Sequence, residues 1–359
     1  MHLEWLRLAD VRCYRELDLR PAPGVNVFVG GNGAGKTTIL EAVAFLGSMR
    51  SFRGTPDDAL IRSGADEAIV RGAFDDGVRE RLVEVAVPRQ GRRRVLLNGK
   101  RPPRIRDLLS EVPVVAFQPD DLDLVKRGPG RRRDYLDDLA AALWPAAAAD
   151  QTDAERALRQ RNALLRQEGR GTDPTTLDVW DERYAASGAR LYAARVAVLD
   201  AIEDTLERTY REIGRQGVLR WSYTPGWFPG TGDPAPALLE ALRSRRHRDM
   251  EMRTTSVGPH RDDPMLMLDG RPVRTAASQG EQRTAALALR LAAFRAIADL
   301  KDVVPILLLD DVFSELDTDR VAGVVSELPE GQVLVTTARE DEVPVAGVRW
   351  NVSAGTVHR

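Results

Sequence analysis

The 359-residue chain has a single cysteine, Cys13, so no internal disulfide can form. A lone thiol fits a reducing compartment, and Cys13 reads as a small packing residue rather than a reactive one. Histidine is limited to four residues, with no HxxxH pair and no cysteine cluster, which argues against zinc. No apolar run approaches the ~20 residues that cross a bilayer. Residues 1–5 show no basic segment leading into an apolar core, so no secretory leader is expected. Net charge is only −2, so the chain as a whole exerts no global attraction on polyanions. Lysine is nearly absent, at four of the 52 basic residues. The arginine excess suits phosphate recognition, although a compositional bias shared with the abundant alanine and proline accounts for it more simply. Hydrophobic residues at 43% and charged residues at 30% describe an ordinary globular composition. Neither an internal repeat nor a low-complexity tail is present.

What is there begins with Gly30-Gly31-Asn32-Gly33-Ala34-Gly35-Lys36-Thr37, which fits the phosphate-loop pattern G-x-x-x-x-G-K-[ST]. An apolar run at 25–29 precedes it, and an amphipathic helical stretch at 38–46, opened by Thr38, follows. That strand–loop–helix context is what the chemistry requires. Glycines such as Gly30, Gly33 and Gly35, with Asn32 between them, let successive backbone N–H groups converge on a polyphosphate at a helix N-terminus. Lys36 is placed to reach the β- and γ-phosphates of ATP, and the Thr37 hydroxyl to ligate Mg²⁺. Alone, this loop establishes nucleoside triphosphate binding and nothing more.

Residues 3–8 and 16–19 read as short strands, as do 83–87, 95–97 and 112–117, with Asn98-Gly99 as a hairpin turn. From about Leu122 the pattern becomes helical. The longest run, 176–213, places Trp180, Tyr184, Leu191, Val198, Ile202, Leu206, Tyr210 and Ile213 on one face, with Gly214 as its stop. It is expected to pair with 154–167 as a short antiparallel arm, or to form the core of a helical lobe. Residues 225–236 form a Pro/Gly-rich loop, and mixed α/β character returns from Thr254. The expected fold is therefore α/β, with a mixed-sheet, phosphate-loop ATPase head interrupted by a helical lobe. The expected division is 1–122 with 302–359 as the nucleotide-binding lobe, and 123–301 as the second lobe.

A phosphate loop needs a carboxylate near its metal, best placed at the end of a buried parallel strand. Ile306-Leu307-Leu308-Leu309-Asp310-Asp311 supplies one: Asp310 is the expected Mg²⁺ partner, through water, and Asp311 is placed to polarise the attacking water. Ser278-Gln279-Gly280-Glu281-Gln282 opens a helix running to about Leu300, and a serine hydroxyl with a glycine N–H at a helix start forms a second anion site. One nucleotide needs one cradle, so a second implies clamping of the γ-phosphate by a neighbouring subunit.

The phosphate loop, S-x-G-E-Q, the strand with paired acids, and Ser314-Glu315-Leu316-Asp317 together resemble an ABC-type ATPase head. The resemblance narrows through Arg12-Cys13-Tyr14, Pro119-Asp120-Asp121-Leu122, Arg132-Arg133, Leu136-Asp137 and Gly258-Pro259-His260-Arg261-Asp262-Asp263 to the RecF family, relatives of SMC and Rad50 heads. It implies that Ser278, Gly280 and Gln282 meet ATP held by the opposite protomer. By the same resemblance Asp317 lies in a loop crossing the dimer interface, Arg12 contributes to the nucleotide site, and Gln118 reaches Mg²⁺ and the attacking water. The implied activity is a weak, DNA-stimulated ATPase with no covalent chemistry on DNA. The implied role is ATP-dependent clamping of double-stranded or gapped DNA by a homodimer during recombinational repair. The implied partners are RecR and, indirectly, RecO and RecA, in a cytoplasmic, nucleoid-associated setting without a membrane.

Three departures qualify the match. Many ABC heads carry Glu where Asp311 stands, so the base is one methylene shorter and hydrolysis is expected to be slow. Thr336-Thr337 follows strand residues 333–335 where many heads have a switch histidine, so a γ-phosphate sensor there would be a hydroxyl. The signature begins Ser-Gln-Gly rather than Ser-Gly-Gly. His260 is expected to be structural rather than catalytic.

Basic clusters occur at Arg92-Arg93-Arg94, at Lys100-Arg101 with Arg104 and Arg106, at Arg131-Arg132-Arg133, and at Arg243 with Arg245, Arg246 and Arg248. Each taken singly suits a solvated face, while at least one is expected to meet DNA phosphates. Arg132 and Arg133 are instead candidates for structural or nucleotide-linked roles. No helix-turn-helix or zinc finger is present, so base-specific readout is not expected. A transporter ATPase subunit is disfavoured by the helical insertion, and a long-range tether by the shortness of the arm.

Overall fold

The computed structural model describes residues 1–102, 108, 111–171, 173–213 and 216–359. Arg104, Arg106 and the helix stop expected at Gly214 lie outside the described residues. The chain divides into two compact units, one of residues 1–122, 208–216 and 283–359, the other of residues 123–207 and 217–282. The boundary expected after residue 301 differs. Residues 283–301 belong to the first unit because their helix is apolar nearly all round, with Leu287, Leu289, Leu291 and Phe294 buried.

The first unit contains two sheets. Strands β1 (His2–Val11), β2 (Tyr14–Leu19), β4 (Glu67–Asp75), β5 (Glu80–Pro88) and β6 (Arg94–Leu97) form an antiparallel sheet in the order β2-β1-β4-β5-β6. The second sheet has the order β14-β13-β3-β12-β11-β7, built from β3 (Val25–Val29), β7 (Val114–Phe117), β11 (Ile306–Asp310), β12 (Val333–Thr337), β13 (Val348–Ser353) and β14 (Thr356–His358). Its strands β13, β3, β12, β11 and β7 are mutually parallel. Helix α1 (Lys36–Ser48) is buried on every side, as its run Ile39, Leu40, Ala42, Val43, Phe45 and Leu46 requires. One hydrophobic cluster joins α1 to residues of both sheets, from Leu3 and Leu6 of β1 to Ile306, Leu308 and Leu334 of the parallel strands. Helices α8 (Gln279–Lys301) and α9 (Thr318–Ser326) flank β11 in sequence.

Parallel strands all present their carboxyl ends on one sheet edge. The loops after β3, β7, β11 and β12 therefore emerge together, the position where open α/β sheets bind ligands. The sheet order, more than any single motif, brings the phosphate loop and the acid pair into one site.

The second unit is mainly helical. It comprises α2 (Leu122–Lys126), α3 (Pro129–Leu143), α4 (Pro145–Glu168), most of α5 (Pro174–Glu212), α6 (Pro234–Met252) and α7 (Val273–Ala276). A small sheet of β8 (Leu219–Ser222), β9 (Met265–Leu268) and β10 (Arg271–Pro272) completes it. The expected loop at 225–236 ends earlier, because Pro234 opens α6 behind the N-cap Asp233. Helices α4 and α5 run antiparallel: Arg190 of α5 pairs with Asp150, and Asp181 nearer the α5 start pairs with Arg161. The expected α5 face is buried at Tyr184, Leu191, Val198, Ile202 and Leu206. Trp180 departs from it, lying half-buried with the Arg183 guanidinium 5.0 Å from its ring centre.

A fully buried ionic cluster fastens this unit. Arg161 on α4 donates to Asp181 on α5 at 2.6 Å, to Asp249 on α6 at 2.8 Å and to Thr255 at 2.9 Å, and Arg161, Asp181 and Asp249 have no exposed surface. His260 accepts at Nδ1 from the Tyr184 hydroxyl at 2.6 Å and donates from Nε2 to the Thr255 carbonyl at 3.0 Å. Burial lowers its pKa from 6.5 to about 4, so it is neutral at pH 7. A neutral imidazole with both nitrogens engaged is a structural strut.

Candidate functional site

The phosphate loop leaves β3 and enters α1 through Gly35, whose φ of 112° lies in a region closed to most side chains. A Cβ on Gly35 would stand 2.7 Å from the Tyr14 hydroxyl and 2.8 Å from Cys13 Sγ, and one on Gly30 only 2.2 Å from the Val352 carbonyl oxygen. Two hairpins thus press on the loop: the β1–β2 turn, with Tyr14 donating to the Gly35 carbonyl at 3.2 Å, and β13–β14 on the other flank. Asn32 and Gly33 are exposed at the loop crest. No side chain caps α1, so its first N–H groups face the loop, as anion binding requires. Thr38 is buried in the first turn.

Lys36 bends back over the loop, its Nζ donating to the carbonyls of Gly30 at 2.6 Å and Gly31 at 2.9 Å. Burial lowers its pKa, and the Asp311 and Asp310 carboxylates oppose that effect. Thr37 Oγ1 donates to Asp310 Oδ1 at 2.9 Å, and Thr336 Oγ1 donates to the same oxygen at 2.6 Å. Strand β12 lies between β3 and β11, which is why a β12 hydroxyl completes the cluster. Burial pushes the Asp310 carboxyl pKa up, and the Thr336 and Thr37 hydrogen bonds pull it down.

Asp311 follows with φ 52°, a left-handed conformation that Asp tolerates. Its N–H is fixed by the Thr336 hydroxyl at 3.0 Å and carbonyl at 3.2 Å. Asp311 Oδ1 is buried without a hydrogen-bond partner; burial pushes the pKa of this carboxyl up, Ser314 draws it down, and the Asp310 and Glu342 charges add to the upward shift. A solvent-excluded carboxylate oxygen left unsatisfied beside a phosphate loop suits a proton acceptor or a hydrated cation. The donor set of Thr37 and Asp310, all oxygen, fits Mg²⁺.

Gln118, after β7, caps a short turn and turns its side-chain amide to the Phe52 carbonyl at 2.9 Å. Its backbone N–H donates to Asp121, which also receives Arg290 of α8 at 2.5 Å. Arg12 has its guanidinium held by Glu41 of α1 at 2.8 Å and Thr55 at 3.0 Å. Glu41 also accepts from Ser51 and pairs with Arg53 at 3.5 Å. Glu41 is a residue that the sequence motifs miss; its one signal there is an acid inside the apolar run 39–46, and the structure buries it fully. From the sequence Thr336 reads as a candidate phosphate sensor. Its hydroxyl, like that of Thr337, which donates to Glu342 at 2.6 Å, is directed to a carboxylate. Asp317 is the N-cap of α9, with its two oxygens on the Arg320 N–H at 3.0 Å and guanidinium at 3.2 Å.

Ser278, Gly280 and Gln282 lie in the second unit. Ser278 and Glu281 form a capping box: the Ser278 N–H donates to Glu281 at 2.7 Å, and the Glu281 N–H donates to Ser278 Oγ at 3.3 Å. The serine hydroxyl accepts in this arrangement. Gln282 is 7% exposed and donates to the carbonyls of Val273, Arg274 and Ala277, tying α7 to the start of α8.

The structure also sorts the basic clusters. Arg132 pairs with Asp263, Arg133 donates to the Asp262 carbonyl, Arg93 pairs with Asp57, and Arg246 pairs with Asp178 and Asp181. These four are bracing residues.

A phosphate loop joined through Thr37 to a strand-end aspartate, on a parallel sheet backed by an antiparallel one, is the head of an ABC-type ATPase of the SMC-like class. The family described as RecF/RecN/SMC N terminal domain matches residues 2–356. The chain is 41% identical to the DNA replication and repair protein RecF of Streptomyces avermitilis, over 100% of both chains. It is 41% identical to that of Frankia alni, again over 100% of both. A solved structure of the recombination mediator protein RecF-ATP in the RecFOR pathway superposes with a TM-score of 0.92 at 29% identity, covering 99% of this chain and 97% of that one. An Smc head bound to the C-winged helix domain of ScpA, at 20% identity and a TM-score of 0.58, shares the fold. The chain belongs to the RecF family of ATPases. Among the described residues, no helix is long and apolar enough to cross a membrane.

Proposed function

We propose that this chain binds ATP with Mg²⁺ and uses it to close a homodimer on DNA during recombinational repair. The observation that carries this reading is the shared carboxylate oxygen of Asp310, which receives hydroxyls from the phosphate loop and from β12. On ATP binding, Lys36 exchanges the loop carbonyls for β- and γ-phosphate oxygens, while Gly30, Asn32, Gly33, Gly35 and Thr38 shape the cradle. Mg²⁺, held by Thr37, Asp310 and Gln118, would supply charge neutralisation at the phosphates. Asp311 accepts the proton of the attacking water. Gln118, whose side chain donates to the Phe52 carbonyl and accepts from the Asp121 N–H, exchanges those partners to orient the attacking water. Arg12, anchored by Glu41, flanks the nucleotide.

Ser278 and Gly280 of a second copy would close over the γ-phosphate, with Gln282 and Asp317 holding the elements that present them. The dimer would engage double-stranded or gapped DNA and, with RecR and RecO, promote RecA loading; slow hydrolysis would release it. Sedimentation with and without ATP, over duplex, gapped and single-stranded DNA, tests this. Ser278→Arg should retain ATP binding and lose the ATP-dependent dimer, and an undiminished dimer would overturn the trans arrangement.

A further inference from the structure

Resting on the DNA-binding reading above, we infer that the β5–β6 hairpin of the first unit is a docking edge for the phosphate backbone of duplex DNA. Residues 89–101 contain six cations and no acid: Arg89, Arg92, Arg93, Arg94, Lys100 and Arg101. Two are neutralised locally, Arg93 by Asp57 at 3.0 Å and Arg94 by Glu67 at 2.7 Å. Arg89 donates to the Ala65 carbonyl at 2.9 and 3.1 Å, which orients the guanidinium without cancelling its charge. Arg92, Lys100 and Arg101 are exposed and make no ion pair among the described residues. Four cations therefore remain uncompensated on one element.

The other clusters do not match this. At 131–133, Arg132 and Arg133 are bound internally, and Arg131 is exposed with no ion pair among the described residues. On α6, Arg243 and Arg246 share Asp178 and Arg243 also meets Glu182, so only Arg245 and Arg248 are exposed without an ion pair among the described residues, two against the hairpin's four.

Placement supports the same partner. Strand β6 is an edge of its sheet among the described residues. It is anchored by Val95, which is 5% exposed in the core, and pairs with β5 from Val83↔Leu97 to Ala86↔Arg94. Asn98 and Gly99, with φ of 51° and 72°, make the tight turn that sets Lys100 opposite Leu97. Arg92 and the Lys100 turn thus flank an extended segment of roughly 20 Å at ~3.3 Å per residue. Several backbone phosphates fit along that length, since a duplex carries a charge every ~1.7 Å. The uncompensated cations flank a strand fixed in the sheet, Arg89 and Arg92 before it and Lys100 and Arg101 after it, an arrangement that can meet a polyanion without reading bases.

Cations on an edge strand also guard it against pairing with another strand, a task that charge of either sign performs. Charge reversal separates the two roles. Arg92→Glu/Lys100→Glu/Arg101→Glu keeps the edge charged and leaves the Arg93 and Arg94 ion pairs intact. With ATP at ~0.1 M salt, its affinity for a duplex should fall at least about tenfold, while ATP binding and the sedimentation of the free protein stay unchanged. The corresponding triple Gln variant should make the dependence of log K on log salt shallower by up to about 2.7, at ~0.9 for each phosphate no longer neutralised. Wild-type binding with both variants inside twofold and an unaltered slope would overturn the hairpin assignment and leave the DNA reading standing. If the wild type binds no DNA with ATP, both fall.

Discussion

Thr336→Val is the sharpest probe of the nucleotide site. The side chain is 1% exposed, and its hydroxyl donates to Asp310 Oδ1 at 2.6 Å. Valine keeps the shape, so no cavity opens. The Asp311 N–H retains the residue 336 carbonyl at 3.2 Å, so the backbone turn persists. What disappears is the hydrogen bond to a carboxylate that is 6% exposed, worth about 1.5–3 kcal/mol, together with the one the hydroxyl accepts from the Asp311 N–H at 3.0 Å. Its removal pushes the Asp310 pKa further up and weakens the charged form that a cation needs. Thr37 would be an inferior probe, because its hydroxyl is itself a proposed metal ligand. Expressed wholly in cation binding, the loss raises the half-saturating Mg²⁺ concentration for ATP hydrolysis by roughly 10- to 150-fold, at ~1.4 kcal/mol per decade. Thr336→Ser, which keeps the donor, should return it to near wild type. Phosphate release measured across a Mg²⁺ titration decides the matter. Equal Mg²⁺ dependence in a folded Thr336→Val protein would refute the idea that this hydroxyl holds Asp310 for the metal.

Asp311→Asn should lower turnover at least about 100-fold, the lower range for a positioned general base, with the ATP-dependent dimer retained in sedimentation. Arg161→Met strips the cation from Asp249 while Arg246 still covers Asp181. The buried charge left behind should cost about 3–5 kcal/mol in urea unfolding at pH 7, and adding Asp249→Asn should recover part of it. His260 gives a pH signature. The unfolded chain takes up a proton near 6.5, while the folded one waits until about 4. Stability is thus full above about pH 6.5 and declines as pH falls through that window, by up to about 3 kcal/mol at 1.36 kcal/mol per unit. His260→Gln should flatten this decline, and an equally steep fall in the variant would mean that other groups cause it.

The phosphate loop, the acid pair and the helix-opening serine were legible in the sequence because each is a local device. Gly35 is required by a backbone angle, Ser278 and Glu281 cap a turn three residues apart, and four apolar residues before Asp310 announce a buried strand. The long apolar stripe of α5 was legible for the same reason, down to Tyr184, Val198 and Leu206. Glu41 was not, since its partners Arg12, Ser51 and Arg53 come from segments that approach only after the sheet forms.

The arginines show the boundary most clearly. Arg92 and Arg93 are indistinguishable neighbours in the sequence, yet one is exposed and the other is bound to Asp57; Arg132 finds its partner 131 residues away. By itself the sequence located the phosphate-loop motif and its strand–loop–helix setting. The tertiary structure decided which hydroxyls share Asp310 and which cations remain free. Motif chemistry is set by covalent neighbours, whereas charge compensation is set by strand order and burial, which bring distant residues to within 3 Å.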